Sequence, residues 1–382
     1  MNLHGDDALS GPAAEPPGTV LEGRLRLLLL YDVGEQVNLQ RIQKIFGSRP
    51  KPIEALLASE RAAPYIRFSQ APLADKLERR LSVNGNEAEL TARYYSFGVI
   101  VLHIELPFRC GWQRLIQEFN SLTEVPNQLQ LQLKQIVAEL EEKMRPAIVR
   151  PAKEWLSEHY MIVNVFKIAD PAGRLMTPEQ IKSSYGNQLA ALLRAETAAL
   201  AGQEREDVLS ASLSYYEYDL IVITSTAAFI YDRPDEAAVE MYILEYASIQ
   251  LLEFRYYDWF LEKLLDDLYE ASGRPRNILS RRWIPREANR FNRLRVDTME
   301  LKERVDNAVK FVSDAYYAKM YRLAAARMGV SEYRQLVDEK LVTAGHLHQF
   351  MIDQFNEGRT FVLEVIIAVL ALLDILFWLR FH

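Results

Sequence analysis

The chain has 382 residues, 49% apolar and 25% charged, enough for roughly two or three units of ordinary domain size with a substantial core. Its formal charge of −7 excludes a generic nucleic-acid binder, although one segment departs sharply from that average. The single cysteine, Cys110, excludes an internal disulfide and a cysteine-rich zinc site, and reads as a small buried or half-buried thiol in a reducing compartment.

Residues 1–23 read as a disordered tail rich in Pro, Gly, Ala and acid. No Lys or Arg precedes Arg24, so neither a secretory signal nor a transit peptide is expected. RLRLLLLYDV (24–33) is a short apolar run suited to a buried strand. Asn38 precedes LQRIQKIF, whose Leu39, Ile42 and Phe46 share one helical face. PYIRFSQ (64–70) reads as a strand, and ELTARYYSFGVIVLHIEL (89–106) as a long β-rich stretch with Gly98 at a bulge or close approach. Helices are expected over 111–122 and 126–145.

The order then recurs, with a strand at HYMIVNVFKI (159–168), a helix opened by Pro178 and continued over 186–201, and a β-rich LSYYEYDLIVI (213–223). In register, Tyr94, Tyr95, Phe97 and Ile100-Val101 match Tyr215, Tyr216, Tyr218 and Ile221-Val222. The expected architecture is α+β, with two related antiparallel-sheet/helix units over 24–150 and 151–233.

Residues 234–360 predict a long-helix antiparallel bundle of coiled-coil character. Residues 235–271 lack Gly and Pro and predict one helix of about ten turns, apolar and aromatic around most of its circumference. Residues 296–328 predict a second, with Leu301, Val305, Ala308, Val312 and Ala315 alternating by four and three, ended by Gly329. Ser331 is the expected cap of a third helix, with Glu332 at its first position.

Between the first two helices, 272–295 carries Arg274, Arg276, Arg281, Arg282, Arg286, Arg290, Arg293 and Arg295 against one acid, Glu287, a net 8 − 1 = +7. Antiparallel pairing about Gly329 sets residue 360 level with residue 300, and so sets this hairpin beside the start of the C-terminal segment. Its arginines, with Trp283 and Phe291, are expected at a membrane surface against anionic headgroups of a lipid bilayer. Pairing with acidic faces such as Glu262, Asp266 and Asp267, within or between subunits, and contact with RNA stay open.

Phe361 to Phe381 is 21 residues, about 31 Å as a helix. That matches a hydrocarbon core of about 30 Å and predicts one C-terminal transmembrane helix. The expected topology is a single-pass tail anchor with the bulk of the chain in the cytoplasm. Glu364 and Asp374 interrupt the run as intramembrane polar residues, and Asp374 costs about 2.5–3.5 kcal/mol if central. Asp374 faces another protomer in one reading; in the other the segment is a buried core helix.

No phosphate loop, G-x-G-x-x-G or G-x-S-x-G is present, and no catalytic, cofactor-binding or metal residues are assigned. His103 and Glu105 share a strand face, as a ligand pair, an acid/base pair, or a satisfied histidine and its neighbour. Glu245, Gln250, Glu253 and Arg255, set among Tyr242, Tyr246, Tyr256, Tyr257, Trp259 and Phe260, read as a buried polar network.

LEYASIQLLEFRYYDWFLEKLLDDLYE (244–270) resembles a signature helix of the required-for-meiotic-nuclear-division family, also called domain of unknown function 155. YYSFGVIV, YYEYDLIVI, the helices over 301–341 and the acid-bearing terminal RTFVLEVIIAVLALLDILFWL are similar to its other blocks. Resemblance to a bacterial-type member of this family implies a membrane-anchored homo-oligomer with no established catalytic site and no cofactor. The expected function is thus a membrane-anchored, self-associating, non-catalytic scaffold or tether that exposes an α+β domain to a cytosolic protein partner. The alternatives are a ribosome- or RNA-associated membrane tether acting through the Arg-rich hairpin, and an enzyme with an acidic site on the 235–271 helix.

Overall fold

The apolar run near the start forms β1 (Leu21–Asp32), and its Leu27–Leu30 part is apolar on both faces because both faces are covered there. In the computed structural model the described residues are 19–47, 49–53, 70–123, 127–168, 175–234, 236–273 and 314–347, with 296, 299, 349, 367 and 370. The other strands are β2 (Gly34–Val37), β3 (Lys51–Pro52), β4 (Leu73–Lys76), β5 (Leu81–Val83), β6 (Asn86–Tyr94), β7 (Val99–Cys110), β8 (Ile148–Pro151), β9 (Ser157–Ile168), β10 (Ser212–Leu213), β11 (Leu220–Ile223) and β12 (Ala227–Tyr231). The helices are α1 (Leu39–Phe46), α2 (Trp112–Thr123), α3 (Asn127–Met144), α4 (Pro178–Arg194), α5 (Gly202–Ser210), α6 (Ala237–Gly273) and α7 (Ala315–Met328).

One sheet runs in the order β10-β11-β12-β9-β1-β7-β6-β4-β3, with β5 paired to β6; β2 and β8 form a separate ribbon. Neighbours are antiparallel except β12 and β9, which are parallel. β1 pairs with β7 on one side and β9 on the other, so the two stretches read as separate units share a single sheet. The matched tyrosine blocks do occupy comparable places, each at a hairpin turn, but Tyr94 and Tyr95 are buried whereas Tyr215 and Tyr216 are exposed.

Alternation decides the two faces. Leu25, Leu27 and Leu29 of β1, Leu102 and Ile104 of β7, and Met161 and Val163 of β9 join the main apolar core with residues of α2, α3 and α4. There Trp112 stacks between Tyr185 and Phe229, with ring centroids 5.5 and 6.0 Å away. The opposite face carries Arg24, Arg26, His103, Glu105 and Asn164, and is taken up below.

Local signals explain the helix ends. Asn38 caps α1 by accepting from the Arg41 N–H, and Thr177 with Gln180 makes a capping box at α4, where Pro178 takes the first helical position. Gly98 is a close approach: its φ is +94°, and a Cβ there would lie 1.6 Å from the Gly34 carbonyl oxygen. Gly329 ends α7 in a left-handed conformation, as expected. The expected continuous helix over 296–328 is broken, because Asp314 adopts extended backbone and caps α7 by accepting from the Tyr316 N–H.

The chain divides into two units, Met1–Glu253 with Val305–Ser331, and Phe254–Arg304 with Glu332–His382. Within the second, Arg255 lies over the Tyr333 ring at 5.2 Å, and Lys340 pairs with Asp258 at 2.8 Å and Glu262 at 3.7 Å.

The α+β architecture stands, but the transmembrane part of the expectation is corrected. Among the described residues no helix is long and apolar enough to cross a membrane. This removes the support for a tail anchor and for single-pass membrane localisation with the bulk in the cytoplasm. An apolar run is necessary but not sufficient for a span, and here it carries the carboxylates Glu364 and Asp374. The segment 361–381, apart from Ile367 and Leu370, lies outside the described residues. So do residues 1–18 of the tail expected over 1–23, whose end instead begins β1, the strand expected over 64–70 apart from its last residue, and the arginine-rich 274–295.

Candidate functional site

β-Strand alternation sends Arg93 of β6 and His103 and Glu105 of β7 to the same face of the sheet, since Thr91 is opposite His103 and Arg26 opposite Glu105. Helix α6 lays Glu245 onto that face. The carboxylate is fully buried and takes three partners. Arg93 donates Nη1 to Oε2, the Tyr95 hydroxyl donates to Oε1 at 2.8 Å, and His103 Nε2 lies 3.1 Å from Oε1.

Burial by itself would raise the Glu245 carboxyl. The charge of Arg93, the charge that His103 takes on in acid, and hydrogen bonds from His103 and Tyr95 outweigh it and hold the carboxyl down at about 2. Burial, and then the Arg93 charge, lower the His103 pKa, so the imidazole is neutral near pH 7 and donates its Nε2 proton to the carboxylate. Glu245 is therefore a fixed anion held by three donors.

A second polar chain crosses the same face. Glu105 accepts from Arg24 at 2.8 Å and from Arg26 Nε at 2.6 Å; Arg26 Nη1 donates to Asn164 Oδ1 at 3.3 Å. Asn164 Nδ2 donates to the carbonyls of Ile230 and Asp232 at 3.4 and 3.2 Å. β7, β1, β9 and β12 are thus stitched by side chains as well as by the ladder. His103 and Glu105 share a face, but His103 engages Glu245 while Glu105 engages the arginines.

Of the four residues read as one network on the long helix, Glu245, Gln250 and Glu253 are buried and Arg255 is half-buried. Glu245 binds the sheet, Gln250 accepts from the Tyr321 hydroxyl of α7, and Arg255 stacks on Tyr333. Sequence reasoning missed Arg93 and Tyr95 as partners. The one available signal was a set of polar side chains inside an otherwise apolar β-rich stretch. The residues from Arg274 to Arg295, Trp283, Glu364 and Asp374 lie outside the described residues.

Residues 22–237 match the family described as "Uncharacterized protein MJ0711, N-terminal domain". The chain is also similar to the Uncharacterized protein MJ0711 of Methanocaldococcus jannaschii, 21% identical over 199 residues, which are 52% of this chain and 61% of that protein. The aligned part thus spans about three fifths of that relative's length. No solved structure matches the chain. An uncharacterised domain family is therefore supported, but not the required-for-meiotic-nuclear-division family, and that expectation is corrected.

Proposed function

We propose that this chain, which belongs to the family described as "Uncharacterized protein MJ0711, N-terminal domain", is a non-catalytic, self-associating scaffold. The sheet clasps the first half of α6 through Glu245, and the second half of α6 meets the same surface of another copy. The observation that carries this reading is the exposure of large aromatic side chains there: Trp259 is 38% and Tyr269 54% exposed. Aromatic residues of this kind anchor interfaces when a partner desolvates them. Tyr256 supports the patch, its ring 6.1 Å from those of Trp259 and Phe260.

Charge favours a second copy as the occupant. Residues 258–270 hold five acids and one lysine, a net 1 − 5 = −4, and 274–295 carries +7. Opposite net charges on two segments of one chain favour association between copies, because in a two-fold pair each attraction forms twice. The clasp itself argues against acid/base chemistry, because a sealed carboxyl at about 2 is far from the pKa a general base needs at neutral pH.

Co-expression of two differently tagged full-length copies tests the proposal. Capture of one tag should recover the other, and Trp259→Ser should reduce that recovery. Recovery of only the captured tag contradicts it.

A second reading, an RNA-associated adaptor, is favoured by the eight arginines mixed with Trp283 and Phe291 in 274–295. It requires RNA binding that weakens steeply with salt, and that is lost when these arginines become serine.

A further inference from the structure

The hairpin β11–β12 ends in two acids. Leu220 is opposite Tyr231 in the ladder, so the next residues outward, Asp219 and Asp232, stand side by side. Glu240, in the first turn of α6, completes the group, and one carboxylate oxygen from each residue lies within 4.8 Å of the others. Asp219 and Glu240 are 5% and 4% exposed; Asp232 is half-buried and open on one side.

Three carboxylates this close repel one another, and like charges opposite each other across a ladder destabilise it. Among the described residues no lysine, arginine or histidine forms an ion pair with any of them. Their donors are few. Asp219 accepts from the Tyr215 and Tyr216 N–H groups at 2.8 to 3.0 Å, Asp232 from the Arg233 N–H at 2.6 Å, and Glu240 Oε1 from the Tyr316 hydroxyl at 3.5 Å. The second oxygen of Glu240, Oε2, is buried with no hydrogen-bond partner. A buried, unpartnered carboxylate oxygen inside a group of acids is a costly arrangement unless something positive is held there.

We propose that Asp219, Asp232 and Glu240 bind a hard divalent cation of the size of Ca²⁺. Oxygens on opposite sides of Ca²⁺, each bound at about 2.3–2.6 Å, lie about 4.6–5.2 Å apart, so three oxygens within 4.8 Å fit one coordination sphere. All-oxygen ligation by carboxylates selects this class over Zn²⁺ or Cu²⁺. The remaining positions are free for water or a carbonyl, and the open side at Asp232 is the route of entry. The ion ties β11, β12 and the start of α6 together.

Tyr316 and Tyr215, whose rings lie 4.9 Å apart, stand beside the acids and supply a readout. Full-length protein stripped with chelator is titrated with Tb³⁺ as a luminescent stand-in for Ca²⁺, exciting tyrosine, and separately melted with and without Ca²⁺ or Mg²⁺. The expected results are sensitised Tb³⁺ emission that Ca²⁺ displaces and a rise in melting temperature with Ca²⁺. Asp219→Asn and Glu240→Gln should each weaken binding more than about tenfold, the lower end of what outer-sphere partners alone are worth. Should either fail to fold, the half-buried Asp232→Asn serves: it should raise the metal-free melting temperature and abolish the Ca²⁺-induced rise. No sensitised emission, or emission and melting shifts that are the same in these variants as in the parent, overturns the proposal in favour of acids neutralised by protons alone.

Discussion

Glu245 on α6 and Arg93 on β6 stand 152 residues apart in the chain and form one ion pair, the glutamate entirely withdrawn from solvent. Withdrawing a carboxylate from water costs several kcal/mol, and the pair offsets this only because Tyr95 and His103 satisfy the other oxygen. The long helix is thereby fixed to the sheet at one register. An apolar contact alone would allow it to slide.

Removing the two members should be coupled rather than additive. Arg93→Met leaves a buried charge with one cation fewer and is expected to cost about 3–5 kcal/mol. Adding Glu245→Leu should cost less than the two single changes summed. Urea unfolding of the three variants measures this, and strict additivity would mean the pair is not coupled.

Acid should act through the same residue. The Glu245 carboxyl lies at about 2, below its ordinary 4.5, so the native state holds its proton less tightly than the unfolded chain does. Its contribution, about 3 kcal/mol, is therefore complete above 4.5 and is lost as pH falls towards 2. Urea midpoints taken across that window should fall less steeply in Glu245→Gln than in the parent.

Two glycines separate backbone strain from collision. Gly85 has φ +79° with nothing within 4 Å of a built Cβ, so Gly85→Ala should cost only about 1–2 kcal/mol of left-handed strain. Gly98 has φ +94° and the Gly34 carbonyl in the way, so Gly98→Ala should cost about 3 kcal/mol or more. Thermal melts of the two variants give the comparison, and equal losses would contradict the close approach at Gly98.

Local structure was legible where a local rule sets it. The period of three to four marked α2, α3 and α4, the apolar run marked β1, and Gly329 marked the end of α7. Long-range pairing was not legible. A repeat of tyrosine blocks suggested two units, but strand order is decided by which edges meet, and β1 sits between strands from both. Asp314 broke the second long helix because its side chain competes for the Tyr316 N–H, an effect that heptad spacing ignores.

The site divides the same way. Glu245 was marked by an acid among aromatics, yet Arg93 and His103 come from 152 and 142 residues away. Asp219, Asp232 and Glu240 follow no ligand spacing in the sequence; only the Leu220–Tyr231 register brings the first two together.

Sedimentation equilibrium of the full-length chain, in low and high salt, tests the scaffold most directly. The expected mass is a multiple of the 44.1 kDa chain in low salt, reduced by high salt and by Trp259→Ser. A mass of one chain at every concentration and salt would contradict self-association through α6.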